Sequence, residues 1–263
     1  MAKAEKKAGR IAAEGLCKVV LKDDRTAAVV EVNSETDFVA KNEVFQSFVA
    51  AVADQAVDSS AADMDAFMAE KWNQDNSITV KEALVAQIAK IGENLNIRRF
   101  EKVVADNGCV VSYTHGGGRI GVMCAFDTDC ADKPGFAEFA KDVCMQIAAA
   151  NPSYLNKDQV PADVIEKEKE ILMAQAINEG KPANIAEKMV MGRISKFYKE
   201  NCLLDQAFVK DADLSVSKHM AAVAKELGGK IDIVKFVRYE KGEGIEKRAD
   251  DFAEEVAKMT GGN

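Results

Sequence analysis

Val29-Val30-Glu31-Val32-Asn33-Ser34-Glu35-Thr36-Asp37-Phe38-Val39-Ala40-Lys41-Asn42 carries the chain from one kind of secondary structure to another. A β-type run over residues 27–32 ends at the polar turn Asn33-Ser34-Glu35. A helical pattern starts only after Asn42, where Val44, Phe45, Phe48, Val49 and Val52 form one apolar stripe. Phe38 lies in the short connection between the two, flanked by Asp37 and Lys41. A large ring on a tight strand-to-helix turn is either tucked under its own loop or offered to a partner. The local pattern leaves both readings open.

Upstream of this stretch, residues 16–21, the turn Lys22-Asp23-Asp24-Arg25 and residues 27–32 read as a β-hairpin, and a helix carrying Phe45-x-x-Phe48 follows. About ninety residues later the pattern returns. Residues 110–113, a glycine turn and residues 120–126 form a second hairpin, then a helix carries Phe136-x-x-Phe139. Each half closes with a late strand, at 96–104 and at 230–239. The expected fold is α+β: two related subdomains, each a small antiparallel sheet covered by helices. The second copy is interrupted. Residues 161–199 carry helical patterning broken by Gly180-Lys181-Pro182, with Pro182 suited to the first turn of the second helix, and predict a projecting helical hairpin. A further helix is expected over 213–227, stopped by Gly228-Gly229, and a last one over 250–258. The implied division is 1–14 as a basic linker, 15–107 as the first subdomain, 108–160 with 200–241 as the second, 161–199 as the hairpin insertion, and 242–263 as a C-terminal helical module.

The 263 residues suffice for one large domain or two ordinary ones. A chain this long buries roughly 70–75% of its unfolded surface, so a full core is available. Lys plus Arg number 35 against 43 Asp plus Glu, a net charge of −8. That balance argues against general nucleic-acid binding, which needs a basic face, and favours a protein partner. Six cysteines (17, 109, 124, 130, 144 and 202) form no Cys-x-x-Cys pair, and the two histidines, His115 and His219, lie far apart. They read as free thiols, mostly core fillers, in a reducing cytoplasm, with no metal and no cofactor expected. No apolar run approaches a membrane span, and the N-terminus lacks the apolar core of a signal peptide. Arg98 and Arg99 on the late strand read as structural ion-pair formers, and the run Glu166-Lys167-Glu168-Lys169-Glu170 as a solvated face.

Two enzyme readings of the glycine turn fail on context. Gly116-x-Gly118-x-x-Gly121 matches a dinucleotide fingerprint, but a β-type run follows it instead of a helix. His115-Gly116-Gly117-Gly118 looks like a hydrolase oxyanion loop, yet the sequence holds no Gly-x-Ser-x-Gly elbow. The simpler reading is a hairpin turn whose glycines supply positive φ.

Thr36-Asp37-Phe38-Val39-Ala40-Lys41 resembles the hallmark of the elongation factor Ts family, whose members eject GDP from elongation factor Tu during translation. Three more motifs follow in the family's order: Lys90-Ile91-Gly92-Glu93-Asn94-Leu95-Asn96-Ile97-Arg98-Arg99, His115-Gly116-Gly117-Gly118-Arg119-Ile120-Gly121-Val122 and Gly242-Glu243-Gly244-Ile245-Glu246-Lys247. The resemblance covers nearly the whole chain from about Lys6 onward. It implies an exchange factor without covalent chemistry, bound to elongation factor Tu in its GDP-bound and nucleotide-free forms, with neither nucleic acid nor membrane as partner.

The resemblance also assigns residues. Thr36, Asp37, Phe38 and Val39 become the partner-binding turn, with Phe38 a wedge near the partner's Mg²⁺. That ion demands near-ideal octahedral geometry at about 2.0–2.1 Å, so small displacements of its support weaken it. Ile120 and Gly121 become partner contacts, with His115 beside them. Gln146 stands where many members have a histidine contact; it can hydrogen-bond but cannot acquire charge. Phe252 and Val256 sit on the apolar face of the final helix, which packs on the parent domain or serves the partner. The helical hairpin is a dimerisation module in the family, so a homodimer is an expectation too. Met1 falls in what resembles the basic linker after the family's leading three-helix domain, so that domain is expected to be absent. The rival reading, from another functional class, is a module that holds elongation factor Tu without exchanging its nucleotide.

Overall fold

The computed structural model describes residues 6–246. The helix expected over 250–258, with Phe252 and Val256, lies outside the described residues, as does the start of the basic linker. The first half runs β1 (Glu14–Leu21), β2 (Thr26–Ser34), α1 (Asp37–Ala40), α2 (Glu43–Asp58), α3 (Met64–Ala69), β3 (Lys71–Trp72), β4 (Asp75–Thr79), α4 (Val80–Ile91) and β5 (Leu95–Val104). The second runs β6 (Cys109–His115), β7 (Ile120–Thr128), α5 (Phe136–Ala150), α6 (Ala162–Asn178), α7 (Ala183–Asn201), β8 (Ala207–Phe208), β9 (Asp211–Ser215), α8 (Val216–Leu227) and β10 (Ile231–Glu240). Antiparallel sheets of order β1-β2-β5 and β10-β7-β6 put the hairpin's second strand at the centre of each. The fold class is α+β, as the pattern predicts.

The repeat runs deeper than the sequence pattern shows. Each half also inserts a two-stranded ribbon, β3-β4 or β8-β9, that leads straight into a helix. The helix expected from Asp213 therefore begins at Val216: residues 213–215 belong to β9, and the Ser215 hydroxyl accepts the Lys218 N–H as its N-cap. The matching cap on α4 is a full capping box between Thr79 and Glu82. Strands of two residues carry no periodicity to read, which is why the ribbons escape a sequence reading. The polar turn also starts later than expected, because β2 extends through the buried Asn33 and Ser34.

The two main sheets stack face to face. Cys17, Ala27, Val29, Met123, Ala125, Val237 and Tyr239 fill the space between them. On the outer face of the first sheet, Ala28, Val30 and Val32 meet Phe45, Phe48, Val49 and Val52 of α2. On the second, Val122, Cys124 and Phe126 meet Phe136, Phe139, Val143 and Ile147 of α5, with Phe126 and Phe136 edge to face at 5.5 Å. β2 and β7 are therefore buried on both sides and lose polar alternation. Each buried Phe or Val contributes about 1.5–3 kcal/mol, so these two strands are the backbone of stability.

Helices α6 and α7 form the expected hairpin around Ile165, Leu172, Val190, Ile194 and Phe197. Gly180 turns the chain at φ +76°, and Pro182 serves as the residue that caps α7 instead of entering its first turn. The charged run on α6 faces water, with Lys169 paired to Glu166. All six cysteines are free and buried. Burial, followed by the nearby Glu31 charge, pushes the Cys17 thiol up to about 12, so it is inert as a nucleophile.

Candidate functional site

The connection after β2 is not an open loop. Thr36 takes extended backbone angles and caps a single helical turn, its Oγ1 accepting the Val39 N–H at 3.3 Å. Lys41 N–H returns to Asp37 O at 3.2 Å, and Asn42 caps α2 through the Val44 N–H at 2.8 Å. Val39 packs against the first core and Ala40 is buried, so the turn is anchored on one side. Phe38 points the other way and is 81% exposed. An outward phenylalanine forgoes about 1.5–3 kcal/mol of burial, so its display calls for a partner. Beside it, Asp37 and Lys41 form an exposed ion pair at 2.7 Å. The hydrogen bond from Lys41 holds the Asp37 carboxyl below the usual carboxylate range.

The second motif holds this turn from below. Glu93 Oε2 accepts the N–H groups of Glu35 and Thr36, each at 3.1 Å, and Glu93 Oε1 accepts the Thr36 hydroxyl at 2.6 Å. Glu35 answers in kind, its Oε1 accepting the Asn94 N–H at 2.6 Å. Two segments nearly sixty residues apart thus exchange carboxylates for backbone donors.

A second carboxylate ties the remaining segments together. Glu31 is fully buried and accepts from Asn33 Nδ2 (3.0 Å), Arg98 Nη1 (3.1 Å), Arg99 Nε (2.6 Å) and the Gly242 N–H (2.7 Å). Burial opposes its ionisation, but the bonds from Asn33, Gly242 and Arg99 outweigh that and hold the carboxyl below its usual range. Arg98 and Arg99 are the structural ion-pair formers that the sequence suggests. Arg99 also lies 4.1 Å over the Tyr239 ring and pairs with Glu243 at 3.2 Å. Gly242 sits at φ +69°, where a Cβ would come within 2.1 Å of Ala13 O. At the glycine turn, Gly118 O accepts the Cys17 N–H at 2.7 Å and Arg119 pairs with Glu240 at 2.9 Å. A cavity of about 350 Å³ opens beside it, lined by Tyr113, His115, Arg119, Ile120, Met145 and Arg238.

The described residues of all four motifs are thus joined in one hydrogen-bonded framework. The sequence family described as Elongation factor TS matches residues 35–243. Elongation factor Ts of Clostridium perfringens strain SM101 is 55% identical over 262 residues, covering 99% of this chain and 86% of the relative. Those of Clostridium botulinum strain Eklund 17B and Clostridium kluyveri strain NBRC 12016 are 53% and 50% identical, each with 86% of the relative covered. The chain belongs to the elongation factor Ts family.

Within the elongation factor Ts framework, the expected contact residues fare differently. Thr36 to Val39 form one surface feature around Phe38, and His115 is exposed on the glycine turn, its Nδ1 3.1 Å from the Tyr113 hydroxyl. Ile120 and Gly121, expected as partner contacts, are buried. A Cβ at Gly121 would meet Val19 at 3.1 Å, Val29 at 3.2 Å and Cys17 at 3.4 Å, so this glycine serves the close stacking of the sheets. Gln146 is buried as well. It is 1% exposed, its carbonyl accepts the Val209 N–H at 2.7 Å, and its amide donates to Gln206 (3.1 Å) and Ala207 O (3.2 Å). That amide pins the β8 region. Phe252 and Val256 lie outside the described residues. Glu93 and Glu31 were missed as site residues. The signal for Glu31 was a lone carboxylate inside an apolar strand run, and for Glu93 its place just before the late strand.

No described helix is long and apolar enough to cross a membrane, and no group of His, Cys, Asp and Glu among the described residues could hold a metal ion.

Proposed function

We propose that this chain is a guanine-nucleotide exchange factor for elongation factor Tu, acting in translation elongation by displacing the Mg²⁺ and phosphate contacts of bound GDP. The observation that supports this most is the 81% exposure of Phe38 on a turn that is hydrogen-bonded at both ends. A rigid apolar wedge presented this way pays little ordering entropy on docking, so its burial energy is available to deform the partner. The Asp37–Lys41 pair beside it supplies polar contacts at the rim. Displacing the elements that support Mg²⁺ weakens its coordination, and the loss of metal and backbone donors leaves GDP poorly neutralised. No covalent step is involved. The factor binds the nucleotide-free partner better than the loaded one, and by linkage nucleotide weakens its hold to the same degree.

Release of a fluorescent GDP analogue from elongation factor Tu, with catalytic amounts of the chain or of Phe38→Ala, tests this. Acceleration by the parent is expected, reduced about 10- to 100-fold in the variant. The melting temperature of Phe38→Ala should match the parent's, because the ring supports nothing in its own fold. Binding without acceleration by the parent would overturn exchange in favour of a holding module. Equal acceleration by both would overturn the wedge.

A further inference from the structure

We infer that Glu93 is the positioning residue that keeps the Phe38 turn displayed, an inference that rests on the exchange reading above. The molecule contains its own control. In both main sheets the late strand pairs with the central strand around a single bulge, at Arg98 in one and Val234 in the other. Ser34 pairs with Leu95, and Thr128 with Ile231, at corresponding ends. By this register Glu35 matches Asp129, Thr36 matches Cys130, Glu93 matches Gly229 and Asn94 matches Lys230. One bond is common to both halves: the Asn94 N–H donates to Glu35 Oε1 at 2.6 Å, and the Lys230 N–H to Asp129 Oδ1 at 2.7 Å.

The next pair of positions differs. In the second half, a Cβ at Gly229 would come within 2.3 Å of Asp129 Oδ1 and 2.4 Å of Cys130 Sγ. The turn has collapsed onto a position with no side chain, and Cys130 is fully buried. In the first half, the Glu93 carboxylate takes three donors from Glu35 and Thr36 and stands between the turn and the late strand. The connection beyond it is three residues longer, counted from Ser34 to Phe45 and from Thr128 to Phe136, and that length forms the helical turn under Phe38. Thr36 is the hinge of the arrangement, because the hydroxyl that donates to Glu93 also accepts the Val39 N–H. Removing the Glu93 carboxylate frees the cap and, with it, the direction of the ring.

The test combines Glu93→Ala, Glu93→Gln, Phe38→Ala and the double variant Phe38→Ala/Glu93→Ala in the GDP-release assay, with thermal melting of each. Glu93→Ala should lower the saturating release rate about 10- to 100-fold, the scale of misplacing a working group by about an ångström. Glu93→Gln keeps one carbonyl acceptor in the same volume and should recover part of the loss. The double variant should be no slower than Phe38→Ala, because Glu93 acts through the ring. A residue that only supported the fold would give independent, multiplying losses, and that result overturns the inference, as does a Glu93→Ala rate equal to the parent's. Should the parent itself release no GDP, exchange falls while the positioning is still decided by amide hydrogen exchange in the free chain. Glu35 and Thr36 amides should exchange faster in Glu93→Ala, and unchanged protection there would overturn it.

Discussion

The two halves of the molecule answer the same structural problem in opposite ways. Both end a buried central strand with a turn that must reach a covering helix, and both tie that turn to the start of the late strand through a carboxylate–amide bond. The second half closes the turn on itself: Cys130 is fully buried and its N–H donates to the Thr128 hydroxyl at 2.9 Å. The first half opens it and leaves Phe38 facing solvent. The contrast extends into the strands. Glu31, buried among Arg98, Arg99, Asn33 and Gly242, matches Ala125, which packs between the sheets. At these matching positions one copy packs a small apolar residue and a closed turn, and the other places a buried carboxylate and an exposed ring. The proposed site lies where the copies diverge, and their shared elements supply its base.

Erasing the divergence at Glu31 should have the largest effect on stability. Glu31→Ala installs the residue of the second half but leaves two guanidinium groups and the Gly242 N–H without their acceptor. Breaking a buried ion pair from one side costs about 3–5 kcal/mol. The lower end applies because Arg98 and Arg99 remain about one-quarter to one-third exposed. At about 2–4 °C per kcal/mol for a chain near this size, the melting temperature should fall by roughly 6–12 °C. A drop of a degree or less would mean that the arginines find water or Glu243 at little cost, and that the second half's solution serves equally well here.

Gly229→Ala probes the collapsed turn and should cost less, about 1–3 kcal/mol by overpacking. Its Cβ would press on Asp129 Oδ1 and Cys130 Sγ, neither of them the free end of a long side chain. The same methyl group at Gly192 of α7 meets nothing within 4 Å and should be neutral or slightly stabilising in a helix interior. Melting curves of the two variants decide the point: similar values would mean that the turn at Asp129 relaxes freely and is not locked to its glycine.

How much of this was legible in the sequence depends on the range of the interaction. The hairpins, covering helices, late strands and helical hairpin follow from local periodicity, and the structure reproduces them with boundary shifts of a few residues. The displayed turn was legible as a question, since Phe38 had no local apolar partner, and its exposure needed the fold to answer it. The burial of Ile120, Gly121 and Gln146 was not legible in the sequence, for one reason. Their burial depends on sheet stacking and on the β8-β9 ribbon, contacts that join residues about sixty to a hundred positions apart. The role of Glu93 is not legible in its motif, because three of its hydrogen bonds reach back nearly sixty residues.

The acid dependence of the Glu31 network is the smallest expected effect and the sharpest on mechanism. Burial alone would raise this carboxyl, whereas the bonds from Asn33, Gly242 and Arg99 lower it below the ordinary glutamate value. A carboxyl lowered in the folded state binds its proton more weakly there than in the unfolded chain. Its stabilisation is therefore fully present above the unfolded-state value of about 4.3, and is lost as pH falls through the lower folded-state value. Ala125, the matching residue in the second half, has nothing to titrate, so the dependence belongs to one copy alone. Comparing the parent with Glu31→Ala cancels the carboxylates they share, and the stability gap between them should narrow as pH is lowered from about 5 to about 3. A gap that stays constant across that range would mean that Glu31 titrates alike in both states and that its partners contribute by shape rather than charge. A gap that widens in acid would reverse the sign altogether and make burial, not the arginines, the dominant influence on this carboxyl.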